Sequence, residues 1–148
     1  MKSAALALVV SLLLALPAQA YDPARHPAPN VQGGAYDQGR LKLQGGEWEE
    51  ASALFRQAAG EDRTDHRAWT LLGYSLSRLG RPREALSAYD EALRLNPAYA
   101  EALEYRGIAH AAMGNLELAR RDLARLLQLG SPLAEDLGKA IAASGRRD

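Results

Sequence analysis

Apolar residues along the chain recur at steps of three and four, the spacing of one helix face. The stretch PREALSAYDEALRL (82–95) is the cleanest case: Ala85, Leu86, Tyr89, Ala92 and Leu93 fall on one side. Before it runs AWTLLGYSLSRLG (68–80), with a Trp, a Tyr and four Leu around an internal Gly73. That glycine costs about 1 kcal/mol relative to Ala in a helix interior, so something else must require it. The punctuation between apolar runs fits helices. Asp65 is placed to cap a helix running to Leu79, and Gly80 to supply the left-handed residue that ends it. Pro82 stands at the first position of the next helix, where its missing N–H costs nothing. Asn96-Pro97 predicts the cap and first residue of another, Asn115 the cap of the one after, and Gly130 its end. After Ser131-Pro132, the residues Leu133, Leu137 and Ile141 form a stripe over a last helix at about 133–143. The short turns make neighbouring helices antiparallel.

The pattern also repeats over a longer distance. Gly39, Gly73 and Gly107 are spaced by 34, as are Gly46, Gly80 and Gly114, and Ala51, Ala85 and Ala119. Phe55, Tyr89 and Leu123 keep the same step with a large apolar residue, and Ala58, Ala92 and Leu126 follow. Several columns in one register mark a stacked helical repeat, in which each unit buries its apolar face on the next.

A 34-residue helix pair with this signature resembles the tetratricopeptide repeat. In the middle repeat (66–99), the residues that carry the resemblance are Trp69, Leu72, Gly73, Leu76, Ala85, Tyr89, Ala92 and Pro97. The resemblance covers about residues 32–133, in repeats 32–65, 66–99 and 100–133. It implies an all-α solenoid of three helix pairs plus a C-terminal capping helix, wound into a right-handed superhelix. The outer repeats depart from the pattern. Repeat 1 has Ala35, Gln38 and Lys42 at family core positions, so its first helix (33–44) is thinly apolar, as a terminal repeat with a solvent-facing side can be. Repeat 3 has Leu103, Arg106 and His110 there. The resemblance places Gly73 at a small-residue position where the two helices of its repeat meet, near Ala85.

Composition narrows the reading. With 148 residues the chain suggests one domain, 33–144, followed by a short tail, 145–148. One Phe and two Trp leave Leu and Ala to build most of the core. Net charge is zero, which argues against a nucleic-acid partner. Arg far outnumbers Lys, a bias that GC-rich bacterial genomes produce. Without cysteine there is no disulfide, thiolate nucleophile, Cys-based zinc site or N-terminal lipid anchor. Residues 1–20 read as a signal peptide: Lys2, an apolar stretch from Ala4 to Leu16, the breaker Pro17, and Ala18-Gln19-Ala20 before the expected cut. The apolar run is shorter than the ~20 residues that span a bilayer. An exported, periplasmic protein with no membrane insertion after cleavage is expected. Removing Lys2 with the signal leaves 17 basic against 18 acidic side chains. The next stretch, YDPARHPAPNVQ (21–32), has three prolines and no apolar period. It reads as a linker or unpacked arm, the alternative being a segment that docks in the chain's own groove or on a partner.

Candidate chemistry is sparse. No P-loop, dinucleotide fingerprint, nucleophile elbow or HExxH occurs. His26, His66 and His110 have no ligand-spaced partner on one helix face, so neither a metal nor another cofactor is expected. His110 reads as a polar-tipped ring filling an interior slot. Glu47, Glu49 and Glu50 suit a helix N-terminus. No catalytic activity is expected; a hydrolase or metalloenzyme has no positive feature. What remains is a surface. The positions that the family turns to its concave face carry over to Tyr36, Arg40 and Gln44; Arg67, Thr70, Tyr74 and Arg78; and Glu101, Glu104, Tyr105 and Ile108. Tyr and Arg are enriched in binding hot spots, while the plainer alternative is a solvated helix face. Family members that clamp a peptide's C-terminal carboxylate use Lys, Asn and Arg where this chain has Tyr36, Arg40, Leu71, Glu101 and Tyr105, so that clamp is absent. The expected function is a non-catalytic adaptor or scaffold binding a protein or peptide in the cell envelope. Its rival is a scaffold that self-associates through a weak terminal repeat, and the oligomeric state stays open.

Overall fold

Helix-forming runs separated by glycine, proline and capping residues fold as that punctuation dictates. The computed structural model describes residues 25–145; the expected signal peptide, residues 21–24 and residues 146–148 lie outside the described residues. Seven helices follow in chain order: α1 (Ala35–Gln44), α2 (Trp48–Glu61), α3 (His66–Arg78), α4 (Pro82–Leu95), α5 (Ala100–Ala112), α6 (Leu116–Gln128) and α7 (Leu133–Ser144). Each packs on its chain neighbour, α3 also meets α5, and α7 lies against both α5 and α6. Thinly apolar α1 is helical over ten residues, packed on α2.

Most predicted boundaries hold. The Asp65 carboxylate accepts the Arg67 N–H at 3.0 Å and caps α3, and Pro82 opens α4. Gly46, Gly80, Gly114 and Gly130 all have positive φ, between 63° and 81°. At each, the following N–H reaches back to a carbonyl five residues earlier, as from Arg81 to Leu76 at 3.0 Å. This closes the helix end with the left-handed residue only glycine adopts without strain. Two expectations need correction. Asn96-Pro97 does not start a helix: α5 begins at Ala100, and the Asn96 side chain instead accepts the Ala98 N–H at 3.2 Å in a turn. Asn115 does precede α6, but its side chain makes no capping hydrogen bond.

The internal glycines set the register. A Cβ on Gly39 would lie 2.9 Å from the Phe55 ring, and one on Gly73 would lie 2.5 Å from the Tyr89 ring. Gly73 thus lies where the two helices of its repeat meet, as expected, and the atoms nearest to it there are those of the Tyr89 ring on α4. Ala51, Ala85 and Ala119 are fully buried. In the third repeat the ring is missing, and a Cβ on Gly107 would lie 2.6 Å from Leu137 of α7. The core runs as one aromatic-rich cluster through Phe55, Tyr74, Tyr89 and Tyr105, then an aliphatic one through Leu103, Leu126, Leu137 and Ile141. Trp69 touches both.

Candidate functional site

The first helices of the three pairs, α1, α3 and α5, turn one face to the same side, and that face carries the candidate residues. Tyr36 stands edge-on to Phe55, with the Arg67 guanidinium 5.1 Å from its ring centre. Tyr74 lies between Trp48 at 6.1 Å and Tyr105 at 5.2 Å, centre to centre. Arg78 stacks over Trp48 at 4.7 Å. These contacts make two aromatic and guanidinium groups, one of Tyr36, Phe55 and Arg67 and one of Trp48, Tyr74, Tyr105 and Arg78. Each such pair contributes about 0.5–1 kcal/mol beyond area burial.

The candidate residues are not equivalent. Gln44 and Arg67 are exposed, and Arg67 forms a two-point pair with Asp65 at 2.9 Å. Tyr36, Arg78 and Glu101 are half-buried. Arg40, Thr70, Tyr74, Glu104, Tyr105 and Ile108 are buried. Thr70 donates its hydroxyl hydrogen to the His66 carbonyl at 2.8 Å, one turn earlier, so its polar atom is satisfied within the helix. Ile108 belongs to the aliphatic core. Both are packing residues more than contact residues.

The arm accounts for part of this burial, against the expectation that it stays unpacked. Arg40 is 3% exposed, and its Nη2 donates to the Pro27 carbonyl at 2.5 Å. His26 Nε2 lies 3.5 Å from Glu101 Oε2, with both side chains largely covered. The same oxygen accepts the Tyr99 hydroxyl at 2.8 Å. Gln38 donates to the Val31 carbonyl at 2.6 Å, and a turn closes from Gly33 N–H to the Asn30 carbonyl at 2.9 Å. Residues 25–31 thus cross from α1 to α5 along the candidate face.

Glu104 is the site's electrostatic anomaly. It is 2% exposed, and its Oε2 has no hydrogen-bond partner among the described residues. Burial pushes its carboxyl up to about 7; the charge of Arg25 pulls it back, while Asp136 and Glu101 add to the rise. A buried acceptor of this kind gains most from a cation or a donor brought to it. His110, by contrast, faces the core: its Nδ1 is buried without a partner among the described residues, and burial lowers its proton affinity.

Sequence reasoning missed three members of the site. Trp48 opens α2, a second helix of its pair, yet its ring reaches Tyr74 and Arg78. Tyr99 precedes α5, and it both holds Glu101 and stands edge-on to His66 at 4.5 Å. His26 lies in the arm. Their only signal was their type: two large aromatics and an imidazole in segments otherwise made of turn and linker residues.

Comparison with known proteins follows this geometry. The sequence profile of the tetratricopeptide repeat matches residues 36–80 and again 70–144. A human protein, FK506-binding protein-like, is 37% identical over 73 residues, covering 47% of this chain and 21% of that protein. The chain thus matches about a fifth of the length of such relatives. Among solved structures, the first TPR of Spaghetti (RPAP3) bound to HSP90 peptide SRMEEVD superposes with a TM-score of 0.68 at 27% identity, over 74% of this chain and 89% of that one. The TPR2B domain of yeast Sti1, solved as a complex with pHsp70, gives 0.72 at 15% identity, over 77% and 95%. At that identity the likeness is one of fold.

Proposed function

From the premise that the chain belongs to the tetratricopeptide repeat family, we propose that it is a non-catalytic adaptor or scaffold of the cell envelope that holds a protein or peptide segment on the face shared by α1, α3 and α5. One observation carries the reading: half-buried Tyr36 and Trp48 each take a guanidinium over the ring, from Arg67 and Arg78, above a buried layer of Tyr74 and Tyr105, with Glu101 and Glu104 at the α5 end. Rigid aromatic side chains with charged neighbours are what binding hot spots are made of. The SRMEEVD peptide on the RPAP3 domain supports a peptide as the class of ligand. An acidic C-terminal tail suits this surface poorly, because Glu101 and Tyr105 stand where a carboxylate clamp needs cations. Export rests on the signal-like residues 1–20, with cleavage after Ala20.

The test is affinity capture from a periplasmic extract, using the wild type and an Arg67→Glu/Arg78→Glu variant expressed as the full chain. Intact mass is expected to show a start at Tyr21. Capture should fall at least tenfold in the variant while its helical circular dichroism stays the same. Equal capture by a folded variant overturns the site.

A further inference from the structure

The arm occupies the face on which a partner is expected, and its chemistry describes that partner. Pro27, Ala28 and Pro29 form a run with no helix and no strand pairing. Proline fixes φ and lacks an N–H, so such a segment crosses a covered surface with little entropy left to lose and few backbone donors to satisfy. Among the described residues, its contacts include one at each end of the face. At the α1 end, Arg40, nearly buried, takes a main-chain carbonyl from Pro27. At the α5 end, His26 sits on Glu101, and the charge of Arg25 acts on Glu104. Glu104 presents a buried oxygen, Oε2, without a hydrogen-bond partner among the described residues, and the arm's Arg25 acts on this carboxyl by charge.

We propose that residues 25–31 are an internal stand-in for the partner: the external ligand is an extended, proline-containing segment that offers a backbone carbonyl to Arg40 and a cationic side chain to Glu101 and Glu104, and it binds by displacing the arm. The inference rests on the reading of this face as a peptide site. A tether as short as residues 32–34 holds the arm near its site at an effective concentration of about 1 mM. For an arm affinity of about 0.1 mM, an incoming segment then meets a site weakened about tenfold. The device keeps an aromatic groove covered until a better-fitting basic segment arrives.

The probe is a fluorescein-labelled peptide of residues 25–34, titrated by anisotropy into the full chain and into a full chain carrying Arg25→Glu and His26→Glu. The two new acids in the variant face Glu101 and Glu104 and release the arm. The variant is expected to bind the probe about tenfold more tightly than the wild type. A probe with the same two charge reversals should bind neither protein, a control that leaves the folding of the protein untouched. Equal affinity of the probe for both proteins overturns the displacement. Light scattering across the same concentrations should give a monomer; a concentration-dependent dimer makes the arm of a second copy the occupant and overturns the proposal. The acidic peptide SRMEEVD is the last arm of the test. If it binds the variant and the basic probe does not, the face remains a peptide site and the inferred chemistry is wrong. If neither peptide binds and capture is also insensitive to Arg67 and Arg78, the proposed function fails with it.

Discussion

In the middle repeat, Gly73 lies against the ring of Tyr89, a residue of the same helix pair; in the third, Gly107 lies against Leu137, supplied by the capping helix α7. The register is the same and the filling is not. Leu72 and Ala88 pack apolar in the middle repeat, whereas the corresponding Arg106 and Asp122 form a two-point ion pair at 2.6 and 3.0 Å. Arg106 also reaches Asp90 of α4 at 2.8 Å, which bolts the third repeat to the second. Leu76 is core, and its counterpart His110 keeps an unpartnered Nδ1. Thr70 satisfies its own hydroxyl, and its counterpart Glu104 has one oxygen, Oε2, without a partner among the described residues. The middle repeat spends its sequence on packing. The third carries polar groups that reach to other segments, Arg106 to α4 and Glu101 to the arm.

The glycine pair gives the largest contrast. A Cβ at position 73 meets three ring carbons of fully buried Tyr89, within 3.0 Å, and the ring has no alternative place. Overpacking of this kind costs about 1–3 kcal/mol, against about 1 kcal/mol gained in helix propensity. Gly73→Ala should therefore lose up to about 2 kcal/mol, and Gly73→Leu more than about 3 kcal/mol of a total typically near 5–15. At position 107 the nearest atoms are the two terminal methyls of Leu137, which can rotate. Gly107→Ala should be close to neutral. Urea unfolding of the three variants checks the order; equal losses at 73 and 107 would show that the two sites are packed alike.

The ion pair comes next. Asp122 is 3% exposed, so Asp122→Ala leaves the Arg106 guanidinium half-buried with only Asp90. A broken buried pair typically costs about 3–5 kcal/mol, and the partial exposure of Arg106 puts this one near the low end, about 2–3. The double variant Arg106→Leu/Asp122→Ala copies Leu72 and Ala88 and should recover more than half of that loss, since apolar replacement of a buried pair is often neutral. A double variant no more stable than the single one would mean that the bolt to Asp90 carries the stability.

These contrasts also explain what could be read from the chain. Gly73, Gly80, Ala85, Tyr89 and Pro82 were legible because each answers a local or repeating demand: a close approach, a left-handed turn, a fixed φ. Asn96-Pro97 misled because a capping dipeptide and a turn dipeptide are the same two residues, and only the start of α5 at Ala100 distinguishes them. The arm was illegible for a different reason. Its prolines exclude regular structure, and an arm without an apolar period gives no sign of the carbonyl, imidazole and guanidinium contacts that dock it. The concave-face positions were readable as a set, but their burial was not, because what covers Arg40 and Glu101 comes from ten or more residues upstream.

Glu104 gives the smallest effect and separates the repeats by pH. Its carboxyl is raised from 4.5 in the unfolded chain to about 7 in the fold, first by burial. Between those values the folded protein holds a proton that the unfolded chain has released, so this group's contribution to stability falls as pH rises through the window and is level above it. The groups facing it are Arg25 from the arm, with His26 beside Glu101, Glu101 on its own helix and Asp136 from α7. His110 works in the opposite sense: burial lowers its proton affinity, so its contribution to stability rises with pH up to the ordinary imidazole value of 6.5. The comparison must therefore be made between wild type and Glu104→Gln, which keeps His110 and removes only the carboxylate. Glu104→Gln should be close to wild type at pH 5 and more stable at pH 8 by about 1–2 kcal/mol, with the difference opening between them. Arg25→Glu together with His26→Glu, which releases the arm, should uncover Glu104, return its carboxyl toward 4.5 and flatten that slope. If the Glu104→Gln advantage is the same at pH 5 and pH 8, Glu104 is solvated in solution, the arm does not cover it, and the third repeat is as self-sufficient as the second.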